Sequence, residues 1–121
     1  MNDLERQNVL VSLIAFAGDT TTLSSRVRML PWNSESELAR IGVADLASVL
    51  FRFADGELRT QDLEMWAELV EGRDDIGIPD GHVADVISRL ANPVLEGRLT
   101  RRQARELARE LDAGQRAHGD G

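Results

Sequence analysis

Leu46, Val49, Leu50 and Phe53 stand at i, i+3, i+4 and i+7, the spacing that lines one face of an α-helix. Leu63, Trp66, Ala67 and Val70 repeat it, and Gly56 and Gly72 follow the two runs as stops. The pattern predicts one helix over residues 44–54 and a second from Thr60, read as its N-cap, to about 71. The link between them, centred on Asp55-Gly56-Glu57, is short enough to require an antiparallel helical hairpin. Leu58 is expected to tuck under that turn.

The same reading extends to both sides. Residues 4–17 predict a helix with Leu10, Leu13, Ile14 and Ala17 inward and Gly18 as C-cap, Asn2, Asp3 and Glu5 suiting its start. The run NVLVSLIAF also allows a strand. A short helix over 22–30 turns Leu23, Val27 and Leu30 inward and stops at Pro31, which has no N–H to give. Residues 31–42 are irregular, with Trp32 as an anchor on the core and 38–41 extended. Residues 72–81 read as a loop. A helix over 80–91 buries Val83, Val86, Ile87 and Leu90 and ends before Pro93. Thr100 and Gln103 form a capping box, with Leu99 placed to close over Ala104; this last helix buries Ala104, Leu107, Ala108 and Leu111 and ends at Gly114. The expected fold is all-α, a compact bundle of five or six short helices in one domain over 1–114, with 115–121 as a flexible tail.

Charge changes the picture. The chain of 121 residues carries a net −7, yet residues 45–85 alone hold eleven Asp and Glu against Arg52, Arg59 and Arg73, a net −8. The negative charge is concentrated in and around the hairpin. Such a chain repels nucleic acid phosphates and attracts basic partners. A basic stripe exists at Arg98, Arg101, Arg102, Arg105 and Arg109, but Arg102–Glu106 and Glu106–Arg109 have the i+4 and i+3 spacing of a solvated helix face.

Catalytic and metal chemistry find little footing. All fourteen basic residues are Arg, so there is no lysine, and Cys and Tyr are also missing. Thiolate zinc sites, thiol nucleophiles, Schiff-base lysines and phenolic acids are therefore excluded. Ser88, His82 and Asp85 make a triad only on paper, since i, i+3 and i+6 on one helix do not converge. Asp74, Asp75, Asp80 and His82 share a loop that lacks the calcium-binding order of oxygen ligands. The reading is no enzyme, no metal and no cofactor. The longest apolar run, 9–17, is well below the ~20 residues a membrane span needs, and Asp3 and Glu5 stand where a secretory signal is positive. A cytoplasmic protein is expected, with no membrane partner.

The segment F-x-x-G-E-L-x-x-x-D-L-E-x-W-A-E-L-V-E-G-R-D-D-I-G, residues 53–77, resembles a motif of small bacterial helical proteins. There it precedes a helix, an N-P stop (here Asn92-Pro93), a G-x-L-T cap (Gly97 to Thr100) and a closing helix. The resemblance spans about residues 30–111. Chains of this type are distantly similar to immunity proteins of bacterial toxin systems, in particular the helical colicin D immunity type. That resemblance implies a non-catalytic inhibitor that covers a basic site on a nuclease-type toxin domain with acidic side chains. The partner-binding positions it implies are Asp62, Glu64, Glu68, Glu71, Asp74 and Asp75.

Two structural outcomes compete for these carboxylates. Arginines of the last helix lie alongside and neutralise them, or they stand unpaired and meet a cationic partner, where complementary charge speeds encounter and selects it. Met65 and Leu69 lie away from Leu63 and Val70, which means a helix buried on two sides or a contact patch. The patch supports the alternative function, a structural or adaptor module that self-associates. Monomer and homodimer both remain open.

Overall fold

A computed structural model describes residues 3–30 and 37–119, with side chains described for 4–30 and 37–114. The expectations for Asn2, Pro31 and Trp32, and for residues 120–121 of the tail, lie outside these. The elements are α1 (Asp3–Ile14), α2 (Thr20–Arg28), β1 (Ala39–Arg40), α3 (Val43–Ala54), α4 (Thr60–Glu71), β2 (Ile76–Gly77), α5 (Gly81–Ala91), α6 (Pro93–Glu96) and α7 (Arg101–Gly119). The fold is an all-α bundle, with seven helices among the described residues, α6 being a single turn after Asn92.

The apolar faces of α2 to α5 close where the spacing places them. Leu46, Val49, Leu50 and Phe53 of α3, and Leu63, Trp66, Ala67 and Val70 of α4, are all buried. So are Leu23, Val27 and Leu30, and Val83, Val86, Ile87 and Leu90. Leu58 lies under the turn between α3 and α4. The hairpin helices nevertheless find their main partners elsewhere: α3 packs most extensively on α7, and α4 on α5. Helix pairing of this kind depends on complementary ridges and grooves, which residue spacing within one helix does not specify.

Helix starts follow local side-chain bonds. Asp19 accepts the Thr22 N–H at 2.8 Å, and Asp80 accepts those of His82 and Val83 at 2.9 and 3.0 Å. The capping box of α7 forms: Gln103 Oε1 accepts the Thr100 N–H at 3.0 Å, and Thr100 Oγ1 accepts the Gln103 N–H at 3.1 Å. At α4 the N-cap falls one residue earlier than expected. Asp62 reaches back to the Arg59 N–H at 3.1 Å, which makes Arg59 the cap and Thr60 the first helical residue.

Helix ends use arginine from elsewhere in the fold. The last carbonyls of a helix are unpaired and carry its negative dipole end, so a guanidinium satisfies both needs. Arg52 donates to Ala15 O and Phe16 O at 3.3 and 3.0 Å, just beyond α1, and Arg73 donates to Val27 O at 3.4 Å in α2. Arg101 and Arg105 of α7 reach Phe53 O and Ala54 O at the end of α3. Arg101 also donates to Leu58 O at 3.2 Å and lies 4.6 Å from the centre of the Phe53 ring. Replacing Arg101 by Leu is expected to cost about 1–2 kcal/mol in denaturant unfolding, from the lost bonds and cation–π contact.

Three regions depart from the pattern. α1 ends at Ile14, not at Ala17, and Phe16 adopts φ 51, in the left-handed region that non-glycine residues avoid. The turn exposes Ala17 and buries Phe16, whose ring stacks on Trp66 at 6.2 Å. Residues 38–41 are extended as expected, but their partner comes from the 72–81 loop. β1 and β2 pair in parallel, Ala39 with Ile76 and Arg40 with Gly77. Finally, Gly114 does not end α7, whose backbone stays helical to Gly119. A glycine inside a helix costs only about 1 kcal/mol relative to alanine, which the neighbouring turns outweigh here.

Candidate functional site

α4 turns Leu63, Trp66, Ala67 and Val70 inward, and this leaves Gln61, Met65, Glu68 and Glu71 exposed. The six carboxylates expected to bind a partner divide into two groups on this frame. Asp62, Glu64 and Asp75 are engaged within the molecule. Glu68, Glu71 and Asp74 are exposed and have no hydrogen bond or ion pair to any side chain among the described residues.

Asp62 joins two helix starts. Besides capping α4, it accepts from Arg59 Nε at 3.2 Å and from Thr20 Oγ1 at 3.0 Å. The bond from the Arg59 side chain is the main cause that holds its carboxyl below the ordinary pKa; backbone and Thr20 bonds add to it, against a smaller effect of burial. Glu64 is mostly covered and lies 3.3 Å from Arg98 Nε. This pair relieves part of the repulsion that Glu64 and Glu68 exert at i, i+4 spacing.

Asp75 is fully buried and belongs to the core. Arg73 grips it with two bonds, Nε to Oδ1 at 2.8 Å and Nη2 to Oδ2 at 3.0 Å, and Arg6 of α1 adds Nε to Oδ2 at 2.8 Å. Burial pushes its pKa up. The bonds from Arg73 and Arg6, with the attraction of both guanidiniums, outweigh that and hold it below the usual value. Its backbone carbonyl accepts the N–H groups of Leu38 and Ala39 at 2.8 and 3.1 Å, so the same residue anchors the parallel ribbon. A side chain in this position cannot reach a partner. Its assignment to the binding surface is corrected: Asp75 holds the loop that presents Asp74.

The arginines of the last helix are likewise divided. Arg98, just before α7, takes Glu64, and Arg105 takes Asp55 at 2.7 Å. Arg101 turns to the carbonyls at the end of α3, and Arg102 pairs with Glu106 at 3.4 Å. None of these reaches Glu68, Glu71 or Asp74. α4 has no basic residue in its last turn, so Glu68 and Glu71 stand at the negative end of the helix dipole.

A groove that the spacing did not reveal runs between the end of α2 and α4. Its volume is about 320 Å³, and it is lined by Val27, Arg28, Leu30, Glu68, Leu69 and Arg73. Leu69 is partly buried against the core at this groove, while Met65 is 37% exposed. Leu69 therefore belongs to the groove, and Met65 lies one turn earlier on the same helix.

His82, Asp85 and Ser88 are all exposed on α5, and no hydrogen bond joins their side chains. Among the described residues no group of three or more His, Asp or Glu is placed to hold a metal ion, because Asp75 faces inward while Asp74 and Asp80 do not. No helix of the described residues is long and apolar enough to cross a membrane. Compared with protein-family models, curated proteins and solved structures, the chain matches none of them.

Proposed function

We propose that this chain is a non-catalytic protein-binding domain, an immunity- or antitoxin-like inhibitor that acts in the cytoplasm by covering a basic site on a toxin. The observation that carries this reading is the group Glu68, Glu71 and Asp74. They are exposed, unpaired among the described residues, and crowded at the C-terminal end of α4, where the helix dipole is already negative. Carboxylates in that place oppose the dipole by roughly 0.3–1 kcal/mol each, so helix stability does not account for them. A cationic partner would gain from side chains and dipole together. The acids would stand in for the phosphates of the nucleic acid that a nuclease-type toxin binds, and inhibition would need no turnover.

The test is a growth assay with the toxin domain encoded by the neighbouring reading frame. Co-expression of the wild-type chain is expected to protect the host. The triple replacement Glu68→Ala, Glu71→Ala, Asp74→Ala is expected to lose protection and in vitro binding while its circular dichroism stays unchanged. Full protection by the triple variant, or a neighbouring frame that encodes no basic domain, would count against the reading.

A further inference from the structure

The α2–α4 groove has features that a purely basic partner does not satisfy. Its floor is apolar, with Val27 and Leu30 buried and Leu69 partly so. One wall carries Arg28 and the other Glu68, both exposed. These opposite charges make no ion pair with each other or with any other described residue. Met29, next to Arg28 at the end of α2, is 77% exposed. Arg28 and Glu68 are opposite in sign and one of each, so the exposed charge lining the groove is locally balanced in a chain of net −7.

A surface with an apolar floor, one free cation and one free anion complements itself under two-fold rotation. In such an interface residue i of one protomer meets residue j of the other, and j meets i. A basic segment docked here would face Arg28, and an acidic one would face Glu68. A second copy of this chain satisfies both. We propose that the groove is a self-association surface, on which two copies sit across a two-fold axis with Arg28 of each protomer paired to Glu68 of the other. A contact confined to this groove belongs to the transient class, so weak, concentration-dependent association is expected.

The proposal is independent of the toxin reading, although the two share Glu68. Sedimentation equilibrium of the full chain tests it through charge reversal. Arg28→Glu alone and Glu68→Arg alone should each weaken self-association at least tenfold, since each places like charges opposite one another twice. An equimolar mixture of the two variants should associate again, because both pairs are then restored. The double variant should also self-associate. A wild-type chain that stays monomeric overturns the proposal, as do single variants that associate like wild type or a mixture that fails to recover. Arg28→Glu should leave the binding of a basic partner intact, whereas Glu71→Ala with Asp74→Ala should impair only that binding. Failure of one reading is thereby distinguished from failure of the other.

Discussion

Replacing Asp75 by Ala is expected to destabilise the protein by about 3–5 kcal/mol, the range measured when one partner of a buried ion cluster is removed. For a chain of this size that corresponds to a fall of roughly 10–20 °C in Tm. The loss follows from what remains: the Arg73 guanidinium, 8% exposed as a residue, and Arg6 would face each other without the carboxylate between them. The sign of the pH dependence is fixed by the same contacts. Asp75 has a folded pKa held below its unfolded value, so its contribution is complete above the unfolded pKa, about 3.9. It disappears as pH falls through the folded value. Asp62 is shifted in the same direction. Acid unfolding of the wild type should therefore steepen below about pH 4, and Asp75→Asn should be less stable at neutral pH with a flatter profile in that acid range. Thermal melts of both proteins between pH 2 and 7 check this; parallel profiles would show that Asp75 is not the linked group.

The second large effect is expected at Trp66. Its side chain is 1% exposed, stacks on Phe16 and donates its indole N–H to Leu13 O at 2.6 Å. Trp66→Ala should cost about 3–5 kcal/mol, from lost burial and the cavity left behind. Trp66→Phe keeps most of the apolar contact and removes the hydrogen bond, so about 1–2 kcal/mol is expected. Leu13 O would retain the Phe16 N–H as a donor, which limits the penalty. Urea unfolding followed by circular dichroism gives both values, and equal costs for the two variants would contradict this division.

The legible part of this fold is its helical periodicity. Leu46, Val49, Leu50 and Phe53 lie on one face whatever that face meets, so their burial could be read directly. The Thr100–Gln103 box was legible for a similar reason, since a cap acts within three residues. What α3 packs against was not, because α7 begins 47 residues after α3 ends. Ala17 fitted the helical spacing of α1, but the gain from stacking Phe16 on Trp66 ended the helix early. The candidate site shows the same boundary. Six acids looked alike in the pattern, yet Asp75 differs from Asp74 because Arg6, 69 residues away, reaches it. Arg73 at i−2 was a local hint of that pairing. The groove had no signal in the spacing, since Arg28 and Glu68 come from helices whose proximity only the fold supplies.

The measurement that bears most directly on the account is a set of six single amide replacements, at Asp62, Glu64, Glu68, Glu71, Asp74 and Asp75. Each variant is read for thermal stability and for affinity toward the basic toxin domain proposed as the partner of this chain. Loss of affinity at unchanged stability is predicted for Glu68, Glu71 and Asp74. At Asp62 and Asp75, the two most strongly engaged within the fold, melting temperature should fall while affinity of the folded fraction persists. An equal loss of affinity at all six sites, or none at the three exposed ones, would contradict the separation of structural from partner-facing carboxylates.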